Sequence, residues 1–369
     1  MSEVALRSRP ESAAKRCLPV ELWRALLQEV PSSLLAGALV MMFACPPAMA
    51  SQTKTLLSAG QNLLEGYPDG VRALEGGVPL EGPAFARAAD LPALPLCAAA
   101  DGGVTWVVTA PSGDLLRVEG FRVSVAHHFD EPLVTALALR TGGGLLVGTS
   151  TPAKVYRFDA ASGQASLVAD LKADYVWAIL PEPGGFLAAT GVPGKLLRVP
   201  DSGAAETVLD PGAAHVRCLA SGGTALWAGT SGPGSLYRIE GGRAFLSASL
   251  KQEEAVAVVP FPGGVWVAAN EKSDPAAAGK GAKPAGNSSV LRFQEGKVPQ
   301  EVRSFPTPVL CAGADGDACL LGLADGRLLS VRPSQAALLA RWEDAPVSAL
   351  LPAPSPAVTL PAPRPLGYR

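Results

Sequence analysis

The sequence predicts an all-β chain built from a short repeated unit, and three observations carry that prediction. Gly (40) and Pro (34) make up a fifth of the 369 residues, and both residues destabilise helix interiors. The apolar residues fall in short strings bounded by Gly, Pro or Asp, the pattern of short strands. Finally, one segment recurs. GTSTPAKVYRF at 148–158 returns as ATGVPGKLLRV at 189–199, as GTSGPGSLYRI at 229–239 and, upstream, as VTAPSGDLLRV at 108–118.

The first 50 residues stand apart from the repeat. A polar stretch with Arg7, Arg9, Lys15, Arg16 and Arg24 precedes the apolar run Leu34–Cys45 and the small-x-small triplet Ala48-Met49-Ala50. Basic flank, short apolar run and A-x-A site, in that order, are the marks of a secretory signal peptide. The run is too short to span a bilayer, which takes about 20 residues. Export to the periplasm or outside the cell is therefore expected, with a lipid anchor at Cys45 as a weaker variant. Residues 51–68 read as a lead-in segment.

The repeat occupies residues 69–360. Its Thr recurs at Thr109, Thr149, Thr190 and Thr230, and its Arg at Arg117, Arg157, Arg198 and Arg238, at intervals of 40, 41 and 40. A fifth copy opens at Asn270 and closes at Val290–Phe293; a sixth runs from Gly322 to Val331 with Ser330 in the Arg place. Each copy carries four apolar strings. In the second copy they are Val134–Leu139, Leu145–Gly148, Lys154–Phe158 and Gln164–Asp170. Four strands per period of about 40 residues describe a β-propeller blade. Asp69–Leu74 and Val78–Phe85 resemble a third and a fourth strand; Val347–Leu351 and Ala357–Leu360 resemble a first and a second. The expectation is a seven-bladed propeller whose last blade is shared between the two ends. The prolines after Leu351 oppose pairing there, and a six-bladed ring with loose ends is the alternative. Residues 361–369 form a Pro-rich tail.

Two departures from the period remain. The fifth copy carries about 14 extra residues within 271–289, EKSDPAAAGKGAKPAGNSS, a composition that cannot bury a core and reads as a flexible insertion. Cys97, Cys218, Cys311 and Cys319 show no C-x-x-C spacing, so they read as small buried hydrophobes, with a Cys311–Cys319 bridge across a hairpin as the alternative.

The turn segments at 148–158, 191–199 and 229–239 resemble those of bacterial exported propellers of the WD-repeat-like and quinoprotein-like kind. The resemblance implies fold and little about activity, because propellers host many unrelated functions. The Trp-Asp dipeptide of true WD repeats is absent.

Charge and motifs narrow the function. A formal net charge of -2 with 17% charged residues offers no basic field for nucleic acid. No phosphate-loop, zinc-protease or nucleophile-elbow pattern occurs. His127, His128 and Asp130 are a lone cluster at a fourth-strand end, short of a converging ligand set. The repeated Trp106, Trp227 and Trp266, together with Trp177, read as packing between blades, and so do the repeated arginines. Residues that lead into first strands should line one mouth of the channel, where propeller ligands collect. They are Asp174, Tyr175, His215, Arg217, Glu253 and Glu254, with Asn270 nearby. The favoured reading is a non-enzymatic binding or scaffold module with an unidentified protein, peptide or glycan partner. It is expected to be monomeric, without cofactor, metal, nucleic acid or membrane span. The alternative is a propeller hydrolase, lactonase or lyase with a divalent metal in the channel, for which Asn270 is a candidate ligand.

Overall fold

The computed structural model describes residues 90–140, 143–271, 287–295, 297–343 and 345–351, with the backbone of three further strands at 71–74, 80–81 and 358–361. The signal-peptide, lead-in and tail expectations (1–50, 51–68 and 361–369) lie essentially outside the described residues. Among these residues no helix is long and apolar enough to cross a membrane.

Strands β1 (Val71–Leu74) and β2 (Leu80–Glu81) precede the first full copy. Copy one then folds as β3 (Leu94–Asp101), β4 (Val104–Ala110), β5 (Asp114–Glu119) and β6 (Arg122–His128). Copy two is β7 (Leu133–Leu139), β8 (Leu145–Ser150), β9 (Lys154–Asp159) and β10 (Gln164–Asp170). Copy three is β11 (Tyr175–Glu182), β12 (Gly185–Gly191), β13 (Leu196–Pro200) and β14 (Glu206–Leu209). Copy four is β15 (His215–Gly222), β16 (Ala225–Ser231), β17 (Ser235–Glu240) and β18 (Arg243–Ser249). Copy five is β19 (Glu254–Phe261), β20 (Gly264–Asn270), β21 (Ser288–Gln294) and β22 (Gln300–Phe305). Copy six is β23 (Val309–Asp315), β24 (Ala318–Leu323), β25 (Arg327–Arg332) and β26 (Gln335–Arg341), followed by β27 (Val347–Leu351) and β28 (Val358–Pro361).

Each copy is an antiparallel meander of four strands in sequence order, the arrangement of β-propeller blades. The apolar core lies in the seams between copies. Trp106 and Val108 of copy one pack with Val134, Leu145 and Phe158 of copy two. Leu187 and Leu196 of copy three meet Val216 and Ala228 of copy four. First strands pack on first strands in chain order, from β3 through β23 to β27, and β27 packs on β3. The fourth strands β6, β10 and β18 are largely exposed, so the first strands are innermost.

A β-bulge marks every first strand at the same place. The register shifts by one residue at Leu96, Thr135, Trp177, Arg217, Val256, Leu310 and Ser348. A bulge re-aims one side chain away from the pleat, and here several of those side chains reach the next first strand. Thr135 Oγ1 donates to Val176 O at 2.6 Å. Ser348 Oγ donates to Pro95 O at 2.7 Å, the same stitch made from β27 to β3.

The turn between second and third strands follows the repeated Thr. Thr149, Thr190 and Thr230 are buried, and each hydroxyl donates to the carbonyl of the proline three residues on, at 3.1, 2.9 and 2.8 Å. The insertion joins β20 to β21, as expected, but its outer boundary moves inward. Ser288 and Ser289 belong to β21, where Ser288 pairs with Asn270, and a hydrogen bond from Glu271 N to Asn287 O at 2.8 Å closes its base.

The ends depart from expectation. β1 does not extend the β27–β28 pair into a shared blade; it pairs with β26, Ala73 opposite Leu338. The physical reason is the quality of the two edges. β26 is a seven-residue run without proline, QAALLAR, whereas β28 ends on Pro361 and follows Pro352, Pro354 and Pro356, residues without an N–H to donate. The Cys311–Cys319 bridge is also absent. Cys311 stands opposite Gly322 and Cys319 opposite Ala314, and all four described cysteines are free.

Candidate binding site at the first-strand face

Four of the seven expected site residues come together on three consecutive first strands. The stitch from β11 to β15 is Trp177 Nε1–H donating to His215 Nδ1 at 3.0 Å. The stitch from β15 to β19 is Arg217 Nε donating to Glu254 Oε1 at 2.7 Å. Tyr175 stacks on Trp177 with ring centroids 4.8 Å apart and planes 8° from parallel. The Arg217 guanidinium carbon lies 3.9 Å from the Trp177 ring centroid. His215 meets both rings edge-on, 5.7 Å from Tyr175 and 5.6 Å from Trp177.

The electrostatics follow from this packing. Burial, followed by the neighbouring Arg217 charge, pushes the His215 pKa below its ordinary 6.5, with Glu254 opposing. The imidazole is therefore neutral at pH 7. Because Nδ1 accepts from Trp177, the ring proton sits on Nε2, which makes no hydrogen bond to a described residue and is left as a donor. Gly191 lies against this bond: a methyl there would overlap both His215 Nδ1 and Trp177 Nε1. Arg217 and Glu254 are each 28% exposed and neutralise one another.

The other three expected residues play different parts. Asp174 is exposed at the rim, and its carbonyl accepts the Thr151 N–H. Glu253 is exposed too, and its carbonyl accepts the Gly232 N–H at 3.2 Å. Asn270 is a structural residue. Its Nδ2 donates to Val309 O at 2.9 Å and its Oδ1 accepts from Val309 N at 3.0 Å. In the preceding seams a backbone bridge does this work, as between Ser231 and Glu254. The corresponding lead residue of copy six is Pro308, which has no N–H, so the Asn270 amide stands in for backbone and reaches one residue further. With both amide atoms engaged, Asn270 does not fit the role of a metal ligand, and no group of three His, Cys, Asp or Glu residues converges among the described residues.

Trp177 was expected in seam packing and instead forms the centre of this cluster. The signal was present in the sequence: it follows the buried Val176 just as Thr135 follows Val134 and Arg217 follows Val216. The seam arginines divide. Arg157 and Arg238 bond the following copy, at Asp201 (3.3 Å) and Glu295 (3.1 Å). Arg117 and Arg198 bond Glu119 and Glu182 within their own copies, both at 2.7 Å, and Arg292 lies over Phe261 at 4.6 Å. His128 Nδ1 bonds Asp114 at 2.8 Å, while His127 packs on Phe129 and Phe158.

No family model and no curated protein matches the sequence. Solved structures do resemble the fold. A catalytically inactive histidine-to-alanine variant of virginiamycin B lyase from Staphylococcus aureus, crystallised with quinupristin, aligns at TM-score 0.50 and 12% identity, over 72% of this chain and 84% of that one. A nidogen/laminin complex aligns at 0.46 and 9%, over 62% and 89%. The computationally designed Ika8 protein aligns at 0.48 and 13%, over 74% and 96%. With the four-stranded meanders above, the lyase alignment supports a β-propeller-type fold; identities this low speak to fold alone.

Proposed function

We propose that this chain is an exported, non-catalytic β-propeller of seven blades that binds a protein, peptide or glycan of the cell envelope on its first-strand face. The Trp177 cluster is the observation that carries the binding role. A Tyr175 ring stacked on a fixed Trp177 indole, with the Arg217 charge beside it already balanced by Glu254, is a platform that loses little freedom when a ligand lands on it. Around it stand a fixed donor at His215 Nε2, the exposed carboxylates of Asp174 and Glu253, and Val192, a β-branched residue 48% exposed with φ at +49°. Blade number seven is supported by the Ser348-to-Pro95 stitch, which repeats the Thr135-to-Val176 stitch of a complete seam. Export is supported by the order of features in residues 1–50.

Peptide and glycan arrays probed with the wild type and with Tyr175→Ala test the binding role. The expected result is a defined set of ligands that loses about ten-fold or more in affinity in the variant, as removal of a stacked aromatic predicts. Ligands retained at full affinity by Tyr175→Ala and by Arg217→Ala would overturn the placement. Fusion of residues 1–50 to a reporter that is active only outside the cytoplasm tests export.

The lyase-like alternative has one group in its favour, a neutral histidine at the same face. Yet Nε2 carries the ring proton and can donate but not accept. A proton-abstracting role would first require breaking the bond to Trp177.

A further inference from the structure

The seam between copies four and five is built unlike its neighbours, on the face opposite the Trp177 cluster. A cleft of about 620 Å³ opens there, lined by Trp227, Arg238, Ser247, Phe261, Phe293 and Glu295 among others. That volume is in the range of small-molecule sites. The repeat supplies an internal comparison, because Trp106, Trp227 and Trp266 occupy equivalent second-strand positions, each paired to the repeat arginine.

In the other two seams the tryptophan is more deeply enclosed. Trp106 is 4% exposed and meets the edge of Phe158 at 5.5 Å. Trp266 is fully buried, lies 5.7 Å from Phe261, and donates its Nε1–H to Asp317 O at 3.1 Å. Phe158 comes from the following copy, where Phe293 is its counterpart in the Trp227 seam. Phe261 comes from the same copy as Trp266, and its counterpart beside Trp227 is Gly222, while Trp266 also has an oxygen on its N–H. Trp227 is only half-buried, packs on one side against the apolar cluster that holds Phe293, and its Nε1–H donates to no described residue. The cause lies in the turn between first and second strands of the following copy. Where copy six places Gly316-Asp317, copy five places Pro262-Gly263, and these residues line the cleft instead of reaching the indole.

One substitution in the outer strand widens the contrast. Residues directly opposite across a ladder share a face. Opposite the repeat arginine stand Ser124, Ser166, Glu206 and Gln300 in four copies. In copy four Phe245 stands there, 52% exposed. Trp227, Arg238 and Phe245 thus form one row beside the cleft. Arg238 is already bonded to Glu240 at 2.8 Å and Glu295 at 3.1 Å, so the row favours a neutral guest over an anion.

We infer that this seam is a binding site for a small, neutral aryl compound bearing a carbonyl or hydroxyl oxygen. Its ring takes the place beside Trp227 that Phe261 takes beside Trp266, where copy four has only Gly222. Its oxygen accepts the Trp227 Nε1–H as Asp317 O accepts that of Trp266. The site is independent of the first-strand face.

Isothermal titration with 4-hydroxyacetophenone, against cyclohexyl methyl ketone as the non-aromatic control, tests the assignment. The expected result is saturable one-site binding of the aryl ketone, with the control about ten-fold weaker or more. Ser247→Trp, which fills the cleft and leaves Trp227 in place, should abolish binding. Trp227→Phe, which keeps a ring and removes the N–H, should weaken it several-fold, and Tyr175→Ala should leave it unchanged. Absence of saturable binding up to about 10 mM in the folded wild type overturns the inference; at that affinity only about 3 kcal/mol would be available. Full binding by both Ser247→Trp and Trp227→Phe, or loss on Tyr175→Ala, overturns it as well.

Discussion

His215 shows how much one side chain's chemistry is set by its neighbours. Its folded pKa is held below 6.5 by burial and by Arg217, so the neutral form is the one folding favours. The stability that follows is complete above the unfolded value near 6.5 and is lost as pH falls through the lower folded value. The His215 ring resonances should therefore titrate below 6.5 by NMR, and the Trp177 indole proton should shift in the same step. Gly191→Ala should disrupt the bond at all pH values and destabilise the fold by about 1–3 kcal/mol, measured by urea unfolding. Glu131 is a second sensitive residue, 5% exposed, with Lys154 Nζ and Tyr156 OH both bonded to Oε1 at 2.8 Å. Burial pushes its carboxyl up, but the bonds from Lys154 and Tyr156 outweigh burial and hold it below its ordinary 4.5. That contribution is present above about 4.5 and is lost as pH falls through the folded value. Glu131→Gln should lower the unfolding midpoint at pH 7 and flatten its decline in acid.

At the scale of strands, the repeat solves one packing problem in several ways. In copies two to six the small residue after the bulge faces a small residue on the second strand: Ala136 with Gly148, Ala178 with Ala189, Cys218 with Gly229, Ala257 with Ala268, Cys311 with Gly322. In copies four and six, where the first strand uses the larger Cys, the second uses Gly. A methyl at Gly229 would stand 2.6 Å from Cys218 Sγ and 2.8 Å from Ala255 Cβ. Gly229→Ala should cost about 1–3 kcal/mol, and adding Cys218→Ala should restore part of it by relieving the Sγ contact while the one with Ala255 Cβ stays. A double-mutant cycle reads that coupling directly; a cycle that closes to zero would sink the account. These cysteines are packing groups. Burial pushes the thiols of Cys97, Cys218 and Cys311 up to about 12, far from the thiolate that reactivity needs. Much of this level was legible in the sequence, because Gly, Pro, Thr and Arg recur at fixed offsets and turn chemistry is local. The bulge was less so. Its position is visible only when first strands are aligned on their buried residue, and then Thr135, Trp177, Arg217 and Ser348 share no residue type, only a place. The part Asn270 plays was hidden for the same reason: its polarity suggests a ligand, while its partner Val309 lies 39 positions away in sequence and is set by the fold.

At the scale of the whole molecule, the question is how a chain of four-stranded units closes. Each seam buries apolar side chains only if a neighbour is present, so an unclosed array would expose the faces of its two end units. Here β27 is inserted between β23 and β3, with Val347, Ala349 and Leu351 buried at 0, 6 and 3% exposure. Ser348 bonds Pro95 O at 2.7 Å, and Cys311 Sγ donates to Val347 O at 3.3 Å. Cys218 makes the same bond to Ala255 O at 3.5 Å in a complete seam, so β27 is joined on both sides by the interactions that join ordinary first strands. A chain ending after Trp342 would lose these side chains, and burial of one Val and one Leu contributes about 3–6 kcal/mol. That is a large share of the 5–15 kcal/mol expected for a folded domain. The truncated chain should therefore unfold at much lower temperature by calorimetry and aggregate through its exposed seams. If the ring closed on six units with loose ends, the same truncation would leave the unfolding temperature nearly unchanged. Ser348→Ala should cost only about 1 kcal/mol, because it removes one stitch and leaves the apolar insertion of β27 in place.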